Sequence, residues 1–222
     1  MNLSRRMAVV PAFFILLVLA FSTLAYGSCD AALLVIDVQK TFLAGVEWNT
    51  VDGVDIVDAV AEVLASAREA GVPVIYIKDH TVLLFESVAE PMLEFADAIA
   101  PLEGDPVFIK TSPNAFFARA FTEYVAEREF TRLIFCGLAS EGCVASTLLF
   151  AIDRRYEVTV VADAHSNGPD PLEDRPTAAD FNAEWAERGA IVLPMDEIDG
   201  LRSPAPTRRH DRSTHVPDAH AA

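Results

Sequence analysis

Three chemically reactive side chains follow short apolar runs of the sequence. Asp37 comes directly after residues 33–36, Lys110 directly after residues 107–109, and Cys143 shortly after a third apolar run. A thiol becomes a nucleophile when it loses its proton, a carboxylate can accept that proton, and a nearby ammonium group lowers the pKa of the carboxyl group. Taken singly, the three residues have ordinary explanations in turns, strand ends and cores. Taken together, they indicate nucleophilic catalysis by a cysteine.

The elements that would bring these residues together are visible in the hydrophobic pattern. Six apolar runs rich in β-formers cover residues 31–36, 73–77, 106–109, 132–135, 157–162 and 190–193. Segments with helical periodicity lie between some of them, at residues 54–70, 115–127 and 141–154. This alternation predicts an α/β fold in which parallel strands are joined by crossover helices. Because the strands lack polar alternation, we expect helices on both faces of the sheet.

A parallel sheet also predicts where the reactive side chains meet. Ligands bind to open parallel sheets in the crevice outside the carboxyl ends of the strands, and Asp37, Lys110 and Cys143 would all lie there. Ser140 is a good helix N-cap and would place Cys143 in the first helical turn, where the helix dipole lowers a thiol pKa. We therefore expect ready alkylation of Cys143 near about pH 6.5, whereas Cys136, inside a strand, should be inert.

Several segments resemble one known family. The segment LVIDVQ at residues 34–39, then Lys110, then GLASEGCV at residues 137–144 resemble the isochorismatase-like cysteine hydrolase superfamily, in which an Asp, Lys, Cys triad occurs in this order and spacing. Residues 160–164 and 185–191 also resemble segments of that family. The likeness extends over roughly residues 31 to 195, which is nearly all of the predicted domain.

The resemblance implies a specific architecture and reaction. The fold would be a single Rossmann-like three-layer domain with a six-stranded parallel sheet in the order 3-2-1-4-5-6 and helices on both faces. Strands one and four would then be neighbours, and Asp37 would face Cys143. In such families the cysteine attacks an amide-type carbonyl and forms a thioester, the aspartate moves the proton to the leaving nitrogen, and the lysine keeps the aspartate ionised.

Further site residues are implied by the same resemblance. Backbone N–H groups of Ala139 and Cys143 would form the oxyanion hole, with a cis peptide bond before Ala139. Gln39, Phe42 and Phe116 match positions that line the substrate pocket in relatives. An aromatic residue after a strand, such as Phe42, also commonly packs in the core.

The histidines argue against a metal centre. Nicotinamidase-type relatives carry an Asp-x-His pair after the second strand and further histidines downstream. This chain has Asp79 and His80 side by side, out of that register, and its next histidine is His165. Zinc needs about three protein ligands, so we predict no metal and no other cofactor. The ordinary interpretation of His165 is a loop or supporting residue, although its place after the fifth strand also lets it reach the crevice.

Three functions remain open at this point. Cys143 favours hydrolysis of a small amide-type C–N bond, because true isochorismatases cleave a vinyl ether and typically lack this cysteine. A nicotinamidase- or isochorismatase-type hydrolase with another bond specificity is one alternative. The other is a non-catalytic exported binding module of the same fold.

The charge of the chain restricts its partners. The formal net charge is −16 at pH 7, and such a field repels nucleic acids and anionic membrane surfaces. The expected partner is a small-molecule substrate. The resemblance adds a homo-oligomer, since relatives commonly associate through helices beside the sheet.

The N-terminal residues have the pattern of an export signal. Arg5 and Arg6 precede an apolar run at residues 8–20 and a small-x-small motif at residues 25–27. We expect a signal peptide over residues 1–27, the hydrolase domain over residues 28–201 and a disordered tail over residues 202–222. The predicted location is periplasmic or secreted. The alternative is an uncleaved membrane anchor with the domain outside the cytoplasm, and lipidation of Cys29 is a minor option.

Overall fold

The computed structural model describes residues 30–48, 50–84, 87–167 and 176–197. The predicted signal peptide over residues 1–27 and the predicted tail over residues 202–222 lie outside the described residues. Within the described residues, no helix is long and apolar enough to cross a membrane.

A six-stranded parallel sheet forms the centre of the fold, in the order β3-β2-β1-β4-β5-β6. The strands are β1 (Ala31–Ile36), β2 (Val74–Asp79), β3 (Val107–Lys110), β4 (Arg132–Leu138), β5 (Glu157–Ser166) and β6 (Ile191–Leu193). The fold class and strand order predicted from the sequence are confirmed. Ile36 lies opposite Ile77 in β2 and Gly137 in β4, and Asp79 lies opposite Lys110. The carboxyl ends of four strands therefore meet at one edge of the sheet.

Six α-helices are described: α1 (Lys40–Leu43), α2 (Ile56–Ala70), α3 (Glu90–Leu93), α4 (Arg119–Glu127), α5 (Ala145–Asp153) and α6 (Ala178–Glu187). Short 3₁₀ turns cover Thr81–Leu84, Asp97–Ile99 and Ala115–Phe117. The bounds of α2 follow from local chemistry. The Asp55 carboxylate accepts from Val57 N–H at 2.8 Å, and Gly71 ends the helix at a left-handed φ of 71°.

Two of the predicted helices are interrupted where they approach the carboxyl edge of the sheet. The segment 115–127 begins as a 3₁₀ turn before α4 starts at Arg119. The segment 141–154 begins with a wide, kinked turn over Ser140–Val144, here called the Cys143 turn, before α5 starts at Ala145. The hydrophobic period did not predict α6. A capping box formed by Thr177 and Asp180 marks its start and was a signal available in the sequence.

Two apolar clusters cover the two faces of the sheet. On one face, α2 packs on alternate residues of β1, including Leu33 and Val35. On the other face, α4, α5 and α6 pack on Leu34 and its neighbours. Helices therefore cover both faces of the sheet, as predicted, and the cover is incomplete at the edge strand β3, where Val107 is 41% exposed and Ile109 is 53% exposed.

Candidate active site

Asp37 directly follows β1 and has an unusual backbone conformation. Its φ is +55°, a left-handed value that aspartate adopts more readily than most residues. The side chain is 2% exposed. Gly137 of β4 lies beside this point with φ +115°, and a Cβ there would come within 2.1 Å of the Ile36 carbonyl oxygen. Only glycine therefore lets β4 approach the strand end that carries Asp37.

Lys110 ends β3 and brings a buried positive charge to the same edge. Its side chain is 1% exposed. The ammonium Nζ lies 2.8 Å from Asp37 Oδ2, 3.1 Å from Cys143 Sγ and 3.4 Å from Asp79 Oδ1. The Asp37 carboxylate and the Cys143 sulfur lie within 4.8 Å of each other. The structure thus brings together the three residues predicted to form the triad.

Asp79 is a fourth member of this group, and it was not predicted from the sequence to belong to it. It ends β2 and is mostly buried. Oδ1 accepts from Thr81 N–H at 2.8 Å and from the Thr81 hydroxyl. The signal was present, because Asp79 follows an apolar strand just as Asp37 does. Its role was missed because it was considered only as half of a metal-binding pair with His80.

The Cys143 turn is fixed by its own backbone and by α5. Gly142 N–H and Val144 N–H both donate to the Ala139 carbonyl, at 3.0 and 3.1 Å. Gly142 adopts the non-helical values φ −117° and ψ −106°. The Thr147 hydroxyl donates to the Cys143 carbonyl at 2.8 Å. These hydrogen bonds hold the half-buried Cys143 side chain at the carboxyl edge of the sheet.

Two expectations about this turn have different outcomes. The Leu138–Ala139 peptide is cis, as the resemblance implied. The oxyanion hole assigned to the N–H groups of Ala139 and Cys143 stays a prediction. Ser140, however, is not the helix N-cap, because its side chain makes no capping hydrogen bond and its hydroxyl instead faces His165 at 2.7 Å.

The protonation states follow from burial and from the ammonium group. Burial raises the pKa of Asp37 to about 6, although Lys110 acts to lower it. Burial and the Asp37 charge raise the pKa of Cys143 to about 12, against the opposing effect of Lys110. Burial acts to lower the pKa of Lys110, but the charges of Asp37, Cys143 and Asp79 outweigh it and raise the pKa. The shift at Cys143 is opposite in direction to the lowered thiol pKa that a helix N-terminus would give. The ready alkylation of Cys143 expected from the sequence stays a prediction.

The comparison with known proteins identifies the family of this chain. The family model described as isochorismatase domain matches residues 31–184. The chain belongs to the isochorismatase family. Of its two described cysteines, Cys143 lies at the carboxyl edge of the sheet. Cys136 is fully buried within β4, and burial raises its pKa.

Several relatives of this isochorismatase-family chain carry the names of hydrolases, amidohydrolases or amidases. Streptothricin hydrolase from Streptomyces noursei is 31% identical over 163 residues, covering 70% of this chain and 64% of that protein. Ureidoacrylate amidohydrolase RutB from Azorhizobium caulinodans is 28% identical, covering 70% of this chain and 83% of that protein. The crystal structure of N-carbamoylsarcosine amidase from Thermoplasma acidophilum is 25% identical with a TM-score of 0.63, covering 77% of this chain and 99% of that one.

A metal ion has a candidate ligand set in this isochorismatase-family site. Ligand atoms of Asp37, Asp79 and Cys143 lie within 4.8 Å of one another. The Lys110 ammonium contacts all three, at 2.8 to 3.4 Å. An ammonium group in that position already offsets part of the carboxylate charge and repels a second cation. This arrangement favours the prediction of a metal-independent enzyme.

The three predicted pocket residues have different positions. The Gln39 amide is fully buried and bonded to backbone groups: it donates to the carbonyls of Asp79 and Leu93 and accepts from Asp79 N–H at 2.6 Å. Gln39 therefore links the end of β2 to the end of α3, and its amide is occupied by these backbone groups. Phe116 is 7% exposed and packs in an aromatic cluster with Phe121, Phe150 and Tyr156.

Phe42 is half-buried, in contrast to the other two predicted pocket residues. It packs against the apolar cluster beneath α2, and its carbonyl accepts the Trp48 indole N–H at 2.9 Å. A separate cavity of about 320 Å³ lies beside the Cys143 turn and is lined by Glu141, Asn167, Pro176 and Phe181. None of these four residues was predicted to line a pocket.

Proposed function

We propose that this protein hydrolyses a small, non-peptide amide-type C–N bond through a thioester on Cys143. The observation that carries the proposal is the buried Lys110 ammonium, which contacts Asp37 Oδ2 at 2.8 Å and Cys143 Sγ at 3.1 Å. Burying an ion pair costs several kcal/mol unless the geometry is favourable, so such a pair beside a thiol is consistent with a chemical role. The amide-hydrolase names of the relatives support the same bond class.

The reaction begins with the transfer of the thiol proton. With the pKa of Asp37 at about 6 and that of Cys143 at about 12, the proton rests on sulfur in the free protein. It moves to Asp37 as sulfur attacks the carbonyl carbon, because the new C–S bond consumes the negative charge that forms on sulfur. Lys110 stabilises both arrangements of charge, since it contacts both groups.

The remaining steps return the site to its starting state. The C–N bond breaks, Asp37 gives its proton to the leaving nitrogen, and the acyl group remains on Cys143 as a thioester. Water then attacks the thioester while Asp37 accepts a proton from it. When the C–S bond breaks, that proton returns to sulfur. Backbone donors at Ala139 and Cys143 are proposed to stabilise the oxyanion in both halves of the reaction.

A panel of small primary amides, ureido acids and N-carbamoyl amino acids tests this proposal, with ammonia release as the readout. Asp37→Asn, Lys110→Met and Cys143→Ala should each lower kcat/KM by about 10⁴-fold or more, because groups that act as a unit fail together. Cys136→Ala is the matched control, since that thiol is buried within β4, and its kcat/KM should stay near the wild-type value.

Two results would contradict the proposed chemistry. Undiminished turnover by any one of the three triad variants would exclude the triad. Tight binding of a panel compound without ammonia release, unchanged in Cys143→Ala, would favour a binding module instead.

We also propose that the protein is exported, with residues 1–27 removed. Support comes from the basic, apolar and small-x-small pattern of the leader. Fractionation of the producing cell and N-terminal sequencing test this: a mature protein beginning near Ser28 is expected, and a cytoplasmic chain that starts at Met1 would contradict it.

A further inference from the structure

His165 is a buried titratable residue that the proposed reaction does not use. It lies near the end of β5 with no solvent exposure. Nδ1 is 2.7 Å from the Ser140 hydroxyl, and Nε2 is 2.9 Å from Asn182 Oδ1 in α6. The Trp185 ring packs on the imidazole with the ring centroids 4.9 Å apart. The ring therefore bridges β5, α6 and the Cys143 turn.

The hydrogen-bond partners determine the tautomer of this ring. Asn182 Nδ2 donates to the Ala162 carbonyl at 2.8 Å, so the amide oxygen of Asn182 faces His165. An amide oxygen only accepts, and Nε2 of His165 must carry the proton. Nδ1 is then a bare acceptor for the Ser140 hydroxyl. Burial lowers the pKa of His165 to about 4, which keeps this neutral form at neutral pH.

Ser140 connects this network to the reactive thiol. It is the first residue of the Cys143 turn and is fully buried. The turn contains the non-helical Gly142 and is short, so its shape depends on contacts made outside it. The Thr147 hydroxyl holds its far end, at the Cys143 carbonyl. The Ser140 hydroxyl holds its near end, at His165.

We propose that His165 is a positioning residue, which holds the Cys143 turn through the Ser140 hydroxyl so that the Cys143 thiol stays in contact with Asp37 and Lys110. This inference rests on the proposed role of Cys143 as the nucleophile. It assigns His165 no contact with substrate and no proton transfer. Asn182 fixes the ring orientation, so the anchor of the turn is α6.

The physical reason is the strict geometry that nucleophilic attack demands. Cys143 Sγ lies 3.1 Å from Lys110 Nζ, and a displacement of roughly 1 Å in such a site can cost about 100-fold in rate. Loss of the Ser140 hydroxyl also leaves the buried Nδ1 of His165 without a donor, which favours movement of the turn.

The test compares variants of the full chain by a substrate-free reaction. Ser140→Ala removes the donor, and His165→Phe removes both ring nitrogens. His165→Asn keeps an acceptor near the Nδ1 position but loses the link to Asn182. Tyr76→Phe is the matched control, because it removes a buried hydroxyl that accepts from Arg68 at 3.3 Å, apart from the turn. Iodoacetamide labelling of Cys143 is followed by peptide mass analysis, with the melting temperature measured in parallel.

The expected result is an about 10-fold or greater rise in the rate of Cys143 alkylation in Ser140→Ala and His165→Phe, with His165→Asn closer to wild type. A displaced thiol loses the burial and the Asp37 contact that raise its pKa, and it becomes more accessible to the reagent. On the best substrate of the amide panel, kcat should fall by about 10- to 100-fold while KM stays within about twofold. Tyr76→Phe should lower the melting temperature without changing the rate of either reaction.

Two results would overturn the inference. One is alkylation within about twofold of wild type in both Ser140→Ala and His165→Phe, which would make the network purely structural. The other is an equal change of the alkylation rate in all four variants, which would indicate general loosening. Because alkylation needs no substrate, it decides the role of His165 even if wild-type protein hydrolyses nothing in the panel, a result that would reject the proposed function separately.

Discussion

Replacing Lys110 with methionine should convert Asp37 from its ionised form to its protonated, neutral form at neutral pH. Methionine is close to lysine in length but brings no charge. The Lys110 ammonium is 1% exposed and lies 2.8 Å from Asp37 Oδ2 and 3.4 Å from Asp79 Oδ1. Its removal leaves the Asp37 carboxyl group buried without a cation, and burial then disfavours the ionised form of Asp37.

The size of the effect follows from the distance. Two unit charges 2.8 Å apart attract by about 6 kcal/mol at an effective dielectric constant of about 20. The pKa of Asp37 is raised to about 6 even with the ammonium in place. One pKa unit corresponds to about 1.4 kcal/mol, so the loss of only a quarter of that attraction moves the pKa past about 7. Asp37 would then be protonated at neutral pH and unable to accept the thiol proton.

The pH dependence of stability measures this directly. A carboxyl group whose pKa is higher in the folded state binds its proton more tightly there, so the free energy of unfolding falls as pH rises from the unfolded to the folded pKa. For wild type the Asp37 contribution falls between pH 3.8 and about 6 and is constant above. For Lys110→Met the fall should continue beyond about pH 7, at up to about 1.4 kcal/mol per pH unit.

Urea unfolding between about pH 5 and about pH 8 is the assay. The double variant Asp37→Asn, Lys110→Met is the control, and it should lose the slope above neutral pH. If Lys110→Met shows the wild-type pH profile, or if the slope survives in the double variant, the ammonium does not hold Asp37 in its charged form.

Three further predictions concern the charge of Asp79, the close packing at Gly137 and the need for a metal ion. Asp79→Asn removes a charge that raises the pKa of Asp37, so the acid limb of the pH profile of kcat/KM should move to lower pH, and an unmoved limb would exclude this coupling. Gly137→Ala should lower the free energy of unfolding in urea by about 3 kcal/mol or more, because the new Cβ would meet the Ile36 carbonyl oxygen at 2.1 Å. Gly189→Ala is the control: a Cβ there meets nothing within 4 Å, and the loss of stability should be clearly smaller. Dialysis against a strong chelator should leave the rate of ammonia release unchanged, and a loss restored by zinc would show that a metal replaces the Lys110 charge.

The sequence by itself was sufficient to predict the parallel sheet and to place Asp37, Lys110 and Cys143 at the carboxyl ends of its strands. Apolar runs without polar alternation identify buried parallel strands. The change from apolar to charged residues at Asp37 and at Lys110 marks where two of these strands end. The bounds of α2 were also local, because Asp55 and Gly71 satisfy the ends of the helix within a few residues. Local signals of this kind do not depend on how the chain folds around them.

Tertiary structure decided the chemistry of the site. The pKa of Cys143 depends on desolvation and on the Asp37 charge, and both arise only when distant strands meet. The local pattern therefore predicted a lowered thiol pKa, whereas burial in the packed chain raises it. The Ser140 hydroxyl could serve as a helix cap or bond to another group, and the approach of His165 settled that competition. Burial and long-range contacts are properties of the packed chain, and a reading of local patterns cannot supply them.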